Sequence, residues 1–144
     1  MTLERPYSRP LKQLNSVGLR PTSQRMILAK ILFDGTDKHV TAEMLHYEVL
    51  KSQKKVSLAT VYNTLHLFTE LGLLREIIVA SDCSYFDTNT SNHYHFYHED
   101  TQELIDIHGN DIRIDRLPTP PEGSQITRVD VVVKVGNNHY KSMN

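Results

Sequence analysis

Apolar residues keep a helical spacing through the first half of the chain and an alternating, strand-like one through the second. In "TSQRMILAKILF" (22–33), Met26, Ile27, Leu28 and Ile31 recur at helical intervals. Pro21 belongs just outside this helix and Thr22 is its N-cap. "TAEMLHYEVLKSQ" (41–53) carries the same spacing at Met44, Leu45, Glu48 and Val49 behind Thr41. The third helix is the clearest. In "SLATVYNTLHLFTELGLL", Ser57 caps a single apolar stripe of Leu58, Val61, Leu65, Phe68 and Leu71. Gly72 is placed to end it in the left-handed conformation.

Strand patterns follow. "LREIIVASDCSYFDTN" holds two β-rich runs around Ser81-Asp82, which predicts a hairpin directly after the third helix, the order of a winged helix. "HYHFYH" and "ELIDIH" predict a second pair around "EDTQ". A proline-rich connection, "LPTPPEGS", then leads to "ITRVDVVVKV" (126–135), the strongest strand candidate. The last nine residues, 136–144, read as a frayed tail.

The third helix turns Ala59, Thr60, Asn63, Thr64 and His66 outward, small uncharged side chains where a solvated face usually carries Lys and Glu. Such a face suits either a groove-reading helix or an ordinary surface. Charge distribution sharpens the choice. Through Arg75 there are eleven Lys/Arg against six Asp/Glu, a balance of +5, and beyond it five against eleven, a balance of −6. A basic half favours polyanions and an acidic, histidine-rich half favours cations. Cys83 is the only cysteine, which excludes an internal disulfide and a CxxC knuckle. The N-terminus lacks an apolar signal core and no stretch approaches a membrane span, so a cytoplasmic protein is expected.

The motifs "GLRPTSQR", "HVTAEMLHYEVL" and "SLATVYNTLHLFTELGLL" resemble consecutive signatures of the Fur (ferric uptake regulator) family, from about Leu11 to about Val135. Within it, "YNTL", "YFDTN" and "DTQELIDI" look most like the iron response regulator (Irr) branch of α-proteobacteria. The resemblance implies an α+β fold: a winged-helix DNA-binding domain over 1–88 and a small αβ dimerisation and sensing domain over 89–144. It implies a homodimer or higher oligomer on A/T-rich operators of iron and haem metabolism genes, responding to haem or iron. A peroxide-sensing or Mn/Fe-responsive repressor of the same family is the alternative.

By the same resemblance, Ser57 to Leu71 is the recognition helix, with Thr60 and Tyr62 approaching DNA; for Tyr62 a half-buried core role competes. Ser57 and Asn63 complete that surface, Asn63 standing where many members have arginine, and Arg20 reaches a phosphate or a minor groove. Metal ligands map onto His39, Asp87, His93, His95 and Asp106, a set suited to Fe²⁺, Mn²⁺ or Zn²⁺ that would tie the two domains together. His93 and His95, two apart on a strand, share one face. Haem would take His93 or His95, with Tyr94 or His98 as second ligand.

Departures from the family matter too. His98 and Thr101 occupy the places of paired zinc cysteines, so no structural zinc held by four cysteines is expected. Asn92, Tyr94 and Arg113 replace ligands of another common site. No Cys-Pro haem motif occurs, since Cys83 precedes Ser84. Outside the family, a small metallohydrolase using His93, His95 and Glu99 lacks any supporting helix motif, so no enzyme is expected. A metal-storage module without DNA binding is opposed by the basic half.

Overall fold

The computed structural model of the protein describes residues 8–137. Residues 138–144 of the expected tail therefore lie outside the described residues. Two compact units divide between Thr90 and Ser91.

The first unit comprises α1 (Ser8–Ser16), α2 (Ser23–Leu32), β1 (His39–Val40), α3 (Ala42–Lys51), α4 (Leu58–Glu70), β2 (Arg75–Ala80) and β3 (Cys83–Asp87). Its three expected N-caps all form. The Thr22, Thr41 and Ser57 hydroxyls accept from the backbone N–H of Arg25, Met44 and Thr60. Each satisfies a donor that has no partner within the helix. Gly72 closes α4 as its left-handed backbone requires, at φ +81°. Leu73 N–H then returns to Phe68 O at 2.9 Å and Gly72 N–H to Thr69 O at 3.0 Å. The hairpin β2–β3 turns at Ser81-Asp82, and the short β1 joins its far edge, giving the sheet order β1-β3-β2. Three helices followed by this hairpin make a winged helix.

Its core is Leu14, Leu28, Leu32, Leu45, Val49, Val61, Leu65, Phe68 and Phe86, all essentially inaccessible. Burial of side chains of this size stabilises by roughly 1.5–3 kcal/mol each. The sequence pattern misplaced several faces. In α2 the buried stripe is Leu28, Ala29 and Leu32, while Met26, Ile27 and Ile31 are only half-buried and line a surface groove with Lys30 and Lys54. In α3, Ala42, Leu45 and Val49 go inward, and Met44 and Glu48 are exposed. In α4, Thr64 is buried instead of outward, because it completes the i, i+3, i+4, i+7 set of Val61, Thr64, Leu65 and Phe68. Leu58 and Leu71, at the ends of that helix, are exposed. Helix α1 was not anticipated at all. Pro10 sits in its first turn, where no intrahelical N–H is needed, and Leu14 anchors it in the core.

The second unit is a three-stranded sheet of order β5-β4-β6, from β4 (Tyr94–His98), β5 (Glu103–Ile107) and β6 (Val132–Val135). β4 runs antiparallel to β5 and parallel to β6. The predicted strand over 126–135 contracts to its last four residues. The reason is its partner: β4 offers pairing positions only from His95 to His98, opposite Val132 to Val135. Cross-strand partners share a face, so Ile105, Phe96 and Val133 form one row across the sheet. They remain 45%, 36% and 36% exposed.

Candidate metal centre and recognition helix

On the opposite face of β4 lie the histidines. His93 precedes the strand and His95 is its second residue, so both imidazoles leave on one side. The β4–β5 register sets Asp106 directly across from His95. Both rings converge on one carboxylate oxygen: His95 Nε2 lies 3.3 Å and His93 Nε2 3.6 Å from Asp106 Oδ1. The histidine side chains are 2% and 10% exposed, and Asp106 is 48% exposed. The two rings stand 4.5 Å apart between centroids.

His93 Nδ1 meets the Ser91 carbonyl at 2.7 Å. A carbonyl only accepts, so Nδ1 carries a proton and donates to it, which leaves Nε2 as the nitrogen facing Asp106. The donors of His93, His95 and Asp106 all fall within 4.8 Å of one another. Two imidazoles and a carboxylate, with a backbone carbonyl orienting one ring, are a donor set that fits a hard-to-borderline divalent ion.

The other two expected ligands meet within the first unit. His39 and Asp87 are cross-strand partners of β1 and β3. Asp87 is buried, its Oδ1 accepts from Asn89 N–H at 2.9 Å, and Arg75 flanks it across β2. Of the haem candidates, Tyr94 and His98 project from the opposite face of β4 to His93 and His95, so neither can share an iron with them within one chain. His98 Nδ1 instead accepts from Thr101 N–H and closes the 99–102 turn.

The winged-helix unit presents a second surface. Ala59, Tyr62, Asn63 and His66 form an exposed stripe along α4 at helical spacing. Thr60 is off that stripe, half-buried, and lines a groove with Thr22, Gln24, Arg25 and Asn63. Ser57 and Thr60 are tied together: Ser57 Oγ donates to Thr60 Oγ1 at 2.9 Å as well as accepting from its N–H. Arg20 is exposed at the start of α2, where its carbonyl accepts from Arg25 Nη1.

Sequence reasoning missed what surrounds Tyr62. Its hydroxyl donates to Glu43 Oε1 in the first turn of α3. That bond, more than burial, raises the phenol above its ordinary pKa. His66, given no role from sequence, stands edge-on to Phe86 with Nδ1 3.9 Å from Glu76 Oε2. Cys83 lines the same concavity; burial, then the charges of Asp82 and Glu43, push its thiol up, which opposes a redox role.

Compared with known proteins, residues 16–133 match the ferric uptake regulator family. The chain belongs to that family. Fur-family proteins are metal-responsive transcriptional regulators. This Fur-family chain is 31% identical over 107 residues to the peroxide-responsive repressor PerR of Staphylococcus saprophyticus, covering 74% of this chain and 72% of the relative. Its fold is that of the ferric uptake regulators of Vibrio cholerae (TM-score 0.68, 20% identity, 88% of this chain and 98% of that one). It also matches the Pseudomonas aeruginosa regulator with manganese (TM-score 0.67, 22% identity, 90% and 98%). Among the described residues, no helix is long and apolar enough to cross a membrane.

Proposed function

We propose that this protein is a dimeric repressor or activator that reads A/T-rich DNA through α4 and responds to a divalent cation, Fe²⁺, Mn²⁺ or Zn²⁺. The observation that carries it is the convergence of His93 and His95 Nε2 on one oxygen of Asp106. Three donors are fewer than such ions take. On the family resemblance, His39 and Asp87, cross-strand partners on β1 and β3, are assigned as the further ligands. Arg20, Thr60, Tyr62 and Asn63 are the contacts to DNA, and Ser57 acts through its cap. The Ile105–Phe96–Val133 row is the apolar surface that a second copy covers, because a free sheet face of this kind is seldom left to water.

Two finer signals divide the reading. A peroxide signal is supported by the similarity to peroxide-responsive repressors of Staphylococcus, and the His and Asp donors without a thiolate would hold the iron on which it acts. Haem is supported by the resemblance to iron response regulators; His93 or His95 is then its axial ligand, and the second ligand comes from elsewhere than Tyr94 or His98 of the same chain.

The test is metal analysis and absorption spectroscopy of protein purified without added metal, followed by retardation of A/T-rich promoter DNA with Fe²⁺, Mn²⁺, haem or peroxide. Metal-dependent, sequence-specific retardation that His95→Ala abolishes is the expected result. A Soret band with haem-dependent release selects the haem signal, and release by peroxide from the iron form selects the other. Protein that retains no specific DNA with any of these metals refutes the reading.

A further inference from the structure

Tyr62 stands on the exposed stripe of α4 and is itself 37% exposed, yet its hydroxyl is already committed. A phenol has one proton to donate and lone pairs to accept with, whereas a carboxylate only accepts. Between Tyr62 and Glu43 the proton must therefore come from the tyrosine. Its oxygen then has lone pairs alone to offer any further partner. The arrangement is built from two elements. Glu43 belongs to the first turn of α3, where the helix dipole favours its negative charge, and α3 is fixed against α4 through buried Leu45 and Val49. The carboxylate is thus held in place by the core.

The neighbouring stripe residue repeats the theme, since His66 turns toward Glu76 on β2. Two carboxylates flank the helix, and each has a stripe side chain turned toward it. A bare carboxylate beside a polyanion would oppose docking; one engaged by a neighbour instead dictates what that neighbour presents.

We propose that Glu43 determines DNA specificity by taking the phenolic proton of Tyr62, so that Tyr62 meets DNA only as an acceptor and selects a base offering an amino group. In the major groove those donors are adenine N6 and cytosine N4; guanine and the thymine carbonyl present acceptors, as do phosphates. The inference rests on the reading that α4 enters the major groove. Glu43 is a positioning residue here, acting through Tyr62.

The experiment selects operators from a randomised A/T-rich pool using the full-length, metal-loaded protein and its Tyr62→Phe, Glu43→Gln and double variants, with thermal unfolding as the check on folding. The native chain favours adenine or cytosine by about five- to tenfold at one position per half-site, the range of a single net hydrogen bond. Tyr62→Phe loses that preference and keeps the others. Glu43→Gln relaxes it, because an amide can donate to the phenol and free its proton, and the double variant matches Tyr62→Phe. A second measurement changes the DNA as well as the protein. Purine in place of the selected adenine, which lacks the amino group, weakens binding by the native chain and leaves Tyr62→Phe indifferent. Glu43→Gln keeping the native preference, or native binding insensitive to the missing amino group, overturns the proposal. A native chain that enriches no sequence overturns instead the reading beneath it.

Discussion

Substituting Ser57 separates the stability of the recognition helix from its contact with DNA. Its hydroxyl accepts from Thr60 N–H at 3.1 Å and donates to Thr60 Oγ1 at 2.9 Å, so its proton is spent inside the protein and none is left for a phosphate. Ser57→Ala leaves the first turn of α4 one partner short. The helix stays docked through Val61, Leu65 and Phe68, which limits the loss to about 1 kcal/mol, within the roughly 0.5–2 kcal/mol span of N-cap deletions. Against urea, with a slope of roughly 1–3 kcal/mol per molar, the midpoint falls by about 0.3–1 M. Ser57→Asp retains a capping oxygen and adds a charge that the helix N-terminus favours, so the midpoint holds or rises. On DNA the order inverts. The alanine variant, once folded, binds operator within about threefold of native. The aspartate brings a negative charge toward phosphates, lowers affinity by more than about tenfold at low salt and cuts the salt slope by about one. Urea unfolding and salt-dependent gel retardation on the same preparations decide it. Equal losses of affinity in the two variants would refute the reasoning, because the hydroxyl would then be touching DNA itself.

Phe96→Asp places a charge in the middle of the Ile105–Phe96–Val133 row. Light scattering should show monomer where the native protein is a dimer, while His95→Ala leaves the dimer intact; a dimeric Phe96→Asp protein places the interface elsewhere. Asp34 offers a pH-dependent check. Its carboxyl is lowered from 3.8 to about 2, chiefly by the hydrogen bond from Lys38, whose Nζ lies 2.7 Å away. With the carboxylate 43% exposed, solvent screening discounts the stabilisation to under about 1 kcal/mol. A folded pKa below the unfolded one stabilises above about 4 and fades as pH falls toward 2. The urea midpoint of Asp34→Asn should therefore lag the native one at pH 7 and approach it steadily below pH 4; a gap that widens on acidification contradicts this.

Much of this was legible because local rules decided it. Thr22, Thr41, Ser57 and Gly72 act through their own neighbours, so caps and helix end could be read from the chain. The pairing of His95 with Asp106 was legible only as family resemblance, since eleven positions separate them and the turn between sets their register. Faces were harder. A helix with apolar residues at 26, 27, 28, 29, 31 and 32 has more than one plausible inward side, and tertiary packing chose Leu28, Ala29 and Leu32. The contact between Glu43 and Tyr62 was invisible, because nothing in the spacing of two residues on different helices announces a hydrogen bond. The contraction of the last strand followed from the shortness of β4, a property of the partner and not of "ITRVDVVVKV" itself.

On the proposed reading, β4 carries a metal ligand and the subunit contact on alternate residues: His95 on one side, Phe96 on the other. A strand has a period of two, so its pairing tolerates no shift by an odd number of positions. One inserted or deleted residue between Ser91 and His95 would leave the composition of the unit almost untouched while exchanging its two faces, burying a ring meant for metal in the subunit contact and turning an apolar row toward the ion. Length in this stretch is therefore under tighter constraint than identity. Point changes at Tyr94 or Tyr97 adjust the protein by degrees, whereas a single-codon indel would abolish sensing and assembly together.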